Sequence, residues 1–307
     1  MNRRAQRFLL MPLLASLAAL STLAGPLPAG ANPPPPFKIG SHFSRGLQKY
    51  TGINALTNFT ASAIATLVVK HEVGGKVRVK VKTYSFTDLL AGKVRSIDVQ
   101  VKDGKLNDAP VGDLHVYTAT PVWFRYFKDK EGKPGVRIPA LVTIDGNISE
   151  AELSTALASD EVASKIRMIK LDLPGVGKQQ LQLLDPKVDF ADGQVKVNTV
   201  LLTQGASRDT GVNLTVLGKP LLEGQGRIVL GDMQVSSPDI PNPEQFSEFS
   251  SKLLNPLVDF QRMDRRDHAF RMSKLTVGDK ELDFSGNLIL APTTPPPHLA
   301  QRQAGKK

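Results

Sequence analysis

Seven residues do the most to limit what this chain can fold into. Lys76-Val-Arg-Val-Lys-Val-Lys82 alternates cation and valine without a break. On a helix that spacing would scatter the valines around the axis. An extended strand, with its period of two, places Val77, Val79 and Val81 on one face and Lys76, Arg78, Lys80 and Lys82 on the other. A strand with one apolar face needs neighbours beside it and cover over it, so the segment demands a sheet. The same period recurs in Val94 to Val101, in Val195 to Thr203 and in Gly226 to Val235, where it slips at Gly231. Further strands are predicted at Leu114 to Val116, Val122 to Phe127, Val136 to Ile144, Gln180 to Leu184, Val188 to Phe190, Val212 to Leu217, Met272 to Val277 and Leu282 to Leu290. Asp103-Gly104, Asp145-Gly146, Asp192-Gly193 and Gly278-Asp279 read as turns between them.

Helical signals are fewer. Leu56, Phe59, Ala63, Leu67 and Lys70 share one face of a helix over 55–70, which Gly74-Gly75 ends. Phe86 to Gly92 reads as a short helix stopped by its glycine. Ser149 followed by Glu152 is a capping box for a helix to about Ala158, and Ser159-Asp-Glu161 caps a second one through Met168. Asn242-Pro243 opens a helix whose stripe is Phe246, Phe249, Leu253, Leu257 and Phe260, with Pro256 expected to kink or restart it. Strands that come as consecutive hairpins, with three or four helices, predict an antiparallel α+β architecture. A helix followed by a hairpin occurs at 55–101 and again at 148–203, which hints at a duplicated half.

The two ends read differently from the body. Arg3, Arg4 and Arg7, the apolar run Phe8 to Ala24 and Ala29-Gly-Ala31 have the three-part form of a secretory signal peptide over 1–31, with cleavage expected before Asn32. Residues 32–41 contain four consecutive prolines and read as an extended spacer. The body is 42–291, and 292–307 reads as a disordered, proline-rich tail. The formal net charge is +10, and six of those charges belong to the leader and the tail. The body is therefore only mildly basic, and no aromatic residues interleave with its cations. Nucleic acid is not expected as a partner.

No cysteine occurs, which excludes disulfides, thiolate metal sites and cysteine nucleophiles. The five histidines lack metal-ligand spacing, and no G-x-S-x-G elbow is present. Gly175-Val-Gly177-Lys178 lacks the first glycine and the Ser or Thr of a phosphate loop. No metal site, cofactor or catalytic residue is expected. Two cationic features remain. One is the Lys76, Arg78, Lys80, Lys82 face, which suits lipid phosphates and equally suits a solvent-facing strand. The other is Asp264-Arg-Arg-Asp-His268, where Arg265 and Arg266 would either hold a phosphate or join a surface ion-pair network.

The chain resembles the LmeA-like phospholipid-binding family over roughly 45–290. The resemblance rests on Phe86-Thr-Asp-Leu-Leu-Ala-Gly-Lys-Val-Arg-Ser-Ile-Asp-Val-Gln-Val101, on Ile148-Ser-Glu-Ala-Glu-Leu153 with Ala158-Ser-Asp-Glu-Val162, and on the pattern from Gln194 to Asp239. Asn255-Pro-Leu-Val-Asp-Phe260 with Asp264 to Phe270 is similar to longer members. The resemblance implies a curved antiparallel sheet wrapped against one or two longer helices in an elongated, tubular TULIP-like fold, with an apolar groove for acyl chains. It implies a non-enzymatic, secreted or periplasmic protein that binds or transfers phospholipid or another envelope lipid and touches the membrane peripherally. Candidate acyl contacts are Leu56, Phe59, Leu67, Leu89, Leu90, Phe246, Phe249, Leu253, Leu257 and Phe260. Candidate head-group or membrane contacts are Lys76, Arg78, Lys80, Lys82, Arg265 and Arg266. Two other readings stay open: an envelope scaffold whose groove is filled by its own side chains, and a lipid hydrolase.

Overall fold

The computed structural model describes residues 35–40, 62–63, 65–66, 69–70, 73–106, 109–125, 135–160, 170–173, 177–203, 205–238 and 255–292. The expected leader, the tail beyond 292, the helix from Ser159 to Met168 past Asp160, and the helix from Asn242 as far as Leu254 lie outside them.

The described chain forms two sheets in which every strand pairing is antiparallel. The first contains eight strands: β1 (Lys76–Thr83), β2 (Lys93–Leu106), β3 (Ala109–Thr118), β4 (Val122–Arg125), β5 (Gly135–Val136), β6 (Ala140–Ser149), β13 (His268–Val277) and β14 (Glu281–Leu290). Their order is β13-β14-β6-β3-β2-β4-β5, and β1 lies on the other side of β2. The second is a meander of β7 (Lys170–Leu173), β8 (Gly177–Ala191), β9 (Gln194–Thr203), β10 (Val212–Glu223), β11 (Arg227–Ser236) and β12 (Val258–Asp259). Among the described residues the α-helices are α1 (Phe86–Leu90) and α2 (Glu150–Ala158), besides helical positions between 62 and 70. The described residues are thus mostly β, and longer helices are not among the described elements.

The alternation that predicts β1 extends through the register of the whole first sheet. Lys80, Asp98, Tyr117, Thr143, Asn287 and Arg271 form one continuous cross-strand row, and Arg78, Gln100, His115, Asp145, Ser285 and Lys274 another. Between them run Val79, Val99, Val116, Ile144, Gly286 and Met272, and then Val77, Val101, Leu114, Gly146, Phe284 and Leu275. One face is therefore polar across six strands and the other apolar. The polar rows bond sideways: Thr143 Oγ1 donates to Asn287 Oδ1 at 3.2 Å, and the Ser285 hydroxyl to Asp145.

Two expected turns are strand interior instead. Asp145-Gly146 lies within β6 because Gly146 makes room for a ring: a Cβ there would sit 2.5 Å from Cζ of the cross-strand Phe284. Asp103-Gly104 lies within β2 as a bulge, with Asp103 at φ 53° and the pairing shifted between Val101 and Gly104. Asp192-Gly193 does form the two-residue turn of a hairpin, at φ 53° and 73°, between the paired Ala191 and Gln194. Gly231 likewise marks a register shift opposite Lys219.

The helix expected to run to Phe260 does not. After Pro256, Val258–Asp259 pairs with Ile228 and Arg227 as β12, and Phe260–Met263 forms a 3-10 turn. Proline cannot donate to a helix and its ring blocks the preceding turn, whereas the edge of β11 offers partners. Asn255 continues that pairing through its side chain, accepting from Leu230 N at 2.8 Å and donating to Leu230 O at 2.9 Å.

Two seams join the sheets. The capping box of α2 is formed as expected, with Glu152 N donating to Ser149 Oγ and Ser149 N to Glu152 Oε2. The helix then lies along the edge of β8, where Val188 N donates to Ser154 Oγ at 2.8 Å and Phe190 N to Glu150 Oε1 at 2.6 Å. At the other seam, Met272 N donates to Gln225 O and the rings of Phe260 and Phe270 meet edge-on at 4.9 Å.

Candidate functional site

The apolar face of the first sheet carries two buried clusters. One is Val122, Val136, Ala140, Val142, Leu288 and Leu290; the other is Val79, Val81, Val94, Val99 and Val101. Ala65, Val69 and Val73 cover the second, whereas Ala63 and Lys70 of the predicted stripe are exposed, so the described helical positions turn a different face to the sheet from the one the spacing predicts. Between the clusters the face is less enclosed. Leu114, Val116, Ile144 and Phe284, in the middle strands, are only half-buried. They make a contiguous apolar surface with no charged side chain in its two central rows, which is the surface an alkyl chain would match.

The cations of β1 lie on the opposite face. Lys76, Arg78, Lys80 and Lys82 are all exposed, and Lys76 Nζ is 3.2 Å from Asp103 Oδ2. Arg265 and Arg266 are exposed at a tight turn closed by Arg265 N donating to His268 O at 2.8 Å. The acid next to them is committed elsewhere: Arg271 forks onto Asp264 at 2.9 and 2.7 Å, and that carboxylate holds the Arg271 guanidinium above its already high ordinary pKa. The candidate head-group residues thus occupy two separate places.

The candidate acyl contacts divide as well. Leu56, Phe59, Leu67, Phe246, Phe249 and Leu253 lie outside the described residues. Leu89 packs into the β1–β2 cluster, Leu90 is exposed on α1, Leu257 is exposed, and Phe260 sits half-buried against Phe270 at the far seam. The half-buried Leu114, Val116, Ile144 and Phe284 had been legible as alternating apolar positions, but alternation does not say which of them lie under cover.

One cluster escapes sequence reading entirely. Residues 35–40, within the expected spacer, dock on the first sheet. Phe37 meets Tyr84 edge-on at 5.9 Å and Trp123 at 5.7 Å. Lys93 Nζ lies 5.0 Å from the centre of the Trp123 ring and donates to Lys38 O at 2.5 Å, and Arg137 lies 5.7 Å from the same ring. Gly40 N donates to Asp88 Oδ1 at 3.0 Å, and the Ser85 hydroxyl to Asp88 Oδ2 at 2.6 Å. Burial raises the Tyr84 phenol above its ordinary pKa, with nearby Arg95 opposing and Asp88 reinforcing the shift. The available signal was composition: this is the chain's sole tryptophan, and a Phe-Lys follows the proline run.

Among the described residues no group of three or more His, Asp or Glu gathers as a metal site, and no helix is long and apolar enough to cross a membrane. A model of the LmeA-like phospholipid-binding family matches residues 52–287. Neither a curated protein nor a solved structure matches. The match takes in strands of both sheets, both seams and most of the apolar face of the first sheet, and on that extent the chain belongs to the LmeA-like phospholipid-binding family.

Proposed function

We propose that the apolar face of the first sheet, at Leu114, Val116, Ile144 and Phe284, holds the acyl chains of a phospholipid, and that the protein carries or transfers that lipid without catalysing its breakdown. The observation that carries this reading is the pair of apolar rows running unbroken by charge across six strands, half-buried at their centre, in a chain of a phospholipid-binding family. Each methylene moved from water onto such a surface contributes about 0.8 kcal/mol, so a fatty chain supplies ample affinity without a built polar site. In this reading the body is a tubular, TULIP-like lipid carrier, exported to the periplasm or cell envelope by the 1–31 signal, and it meets its lipid at a membrane surface. The head group would lie at the border of the apolar face, where Lys82 or Arg265 and Arg266 would offer it charge.

The test is uptake. Delipidated protein is incubated with phospholipid vesicles, separated from them and examined by native mass spectrometry, together with Ile144→Lys and Lys80→Ala. Bound phospholipid in the wild type and in Lys80→Ala, lost in Ile144→Lys at unchanged fold, is the expected result. No phospholipid on the wild type overturns the proposal and favours a scaffold whose interior is filled by its own side chains.

A further inference from the structure

Helix α1 packs Leu89 on the sheet but is otherwise inside out. A five-residue amphipathic segment at a sheet edge ordinarily buries its apolar positions and exposes its charge. Here Asp88 is 3% exposed, whereas Phe86 and Leu90, four apart on one face, are 45% and 65% exposed. The inversion has a local cause. Ser85 caps the helix start, accepting from Asp88 N and donating its hydroxyl to Asp88 Oδ2, while Asp88 Oδ1 accepts the amide of Gly40, so the acid faces inward to pin residues 35–40 and Phe86 and Leu90 are left outward.

The surroundings of those two side chains are specific. Trp123 Nε1 donates at 2.9 Å to the carbonyl of Ala91, next to Leu90, and its ring meets Phe37, which in turn meets Tyr84. Lys93 and Arg137 lie against Trp123, Lys38 and Arg95 are exposed nearby, and the acid next to Tyr84 is the buried Asp88. Two projecting apolar side chains, a belt of Trp, Tyr and Phe behind them, and four cations beside the belt match a bilayer interface. There the apolar tips enter the acyl boundary, the aromatic rings sit at head-group depth and the cations meet lipid phosphates.

We propose that α1, with Trp123 and Lys38, Lys93, Arg95 and Arg137, is the surface by which the protein docks on an anionic phospholipid bilayer. Phe86 and Leu90 are its insertion points. The docking face is then this edge of the first sheet, and the outward cations of β1 are not its centre. The inference uses other residues than the acyl-binding reading, so each can fail without the other.

Trp123 is the only tryptophan, so its emission reports on this surface alone. The full chain is mixed with vesicles of phosphatidylcholine, or of equal parts phosphatidylcholine and phosphatidylglycerol, and followed by flotation and fluorescence. Expected are a blue shift of Trp123 and stronger flotation with phosphatidylglycerol. Phe86→Ser/Leu90→Ser should weaken partitioning by about tenfold while keeping the wild-type unfolding temperature and native-mass phospholipid uptake. Lys38→Ala/Arg95→Ala should lose the preference for phosphatidylglycerol, and Arg78→Ala/Lys80→Ala should behave as wild type. Equal flotation of wild type and Phe86→Ser/Leu90→Ser, an unmoved Trp123 spectrum on bound vesicles, or loss of binding only in Arg78→Ala/Lys80→Ala would overturn the proposal. Loss of uptake with docking intact would instead sink the acyl-binding reading.

Discussion

The two sheets are written in the same alternating code and are packed very differently. In the first, Val79, Val81, Val94, Val99, Val101, Val122, Val142, Leu288 and Leu290 reach near-complete burial, with Val77, Leu114, Val116, Ile144 and Phe284 half-buried. In the second, Val188, Phe190, Leu202, Leu230 and Val235 do so, while Val195, Val197, Leu214, Val216 and Leu222 remain half-buried on their strands. Local pattern chooses strand and face. The degree of burial is set by what lies across the face; over the first sheet, α1 and Ala65, Val69 and Val73 lie against β1 and β2. Stability should therefore be concentrated in the first sheet, leaving the second as the more yielding partner, joined to it through α2 and through the Phe260–Phe270 contact.

That contrast can be broken by mutation. Leu290, 2% exposed, should cost about 3 kcal/mol as Leu290→Ala by chemical denaturation, against about 1 kcal/mol for the half-buried Leu214→Ala. Equal losses would abolish the distinction between the sheets. Asp88→Ala removes the carboxylate to which the Ser85 hydroxyl and the Gly40 amide both donate, and about 2 kcal/mol should go with release of residues 35–40, visible as faster proteolysis before Ile39. At the seam, Glu150→Ala/Ser154→Ala leaves the amides of Phe190 and Val188 without their acceptors. It should cost roughly 1–2 kcal/mol and speed hydrogen exchange at those two amides while β1 and β2 stay protected. Ser149→Ala removes one half of the capping box for about 1 kcal/mol.

The smallest effect is alkaline. Because burial raises the Tyr84 pKa in the folded state, the unfolded chain loses that proton first. This contribution to stability is present below pH 10, the ordinary tyrosine value, and is lost as pH rises past it. Tyr84→Phe should flatten that part of the stability profile, and an unchanged slope would place the tyrosine outside the folded environment of the first sheet.

Much of the fold was legible in particular residues. Lys76 to Lys82 specified a strand and both its faces, Ser149 with Glu152 specified the start of α2, and Asp192-Gly193 specified a hairpin, because in each case the physics lies within a few bonds. The misreadings share one origin. Asp145-Gly146 has the composition of a turn, yet its glycine is needed by a ring on a strand more than a hundred residues away. The stripe through Leu257 and Phe260 has helical spacing, yet after Pro256 the chain finds better partners on β11. The inversion of α1 was invisible for the same reason, since Asp88 is turned inward by an amide at Gly40.

The sequence by itself determined the strands, their apolar and polar faces, the antiparallel class and the family, because period, turn residues and a long diffuse pattern are properties of the chain. Tertiary structure alone decided how those strands divide into two sheets, and that the cations of β1 face away from the apolar rows. It also decided that a proline-rich segment docks through Phe37 beside the one tryptophan. Each of these depends on partners distant in sequence, whose meeting is governed by packing and hydrogen-bond satisfaction across the whole molecule and is written in no local spacing.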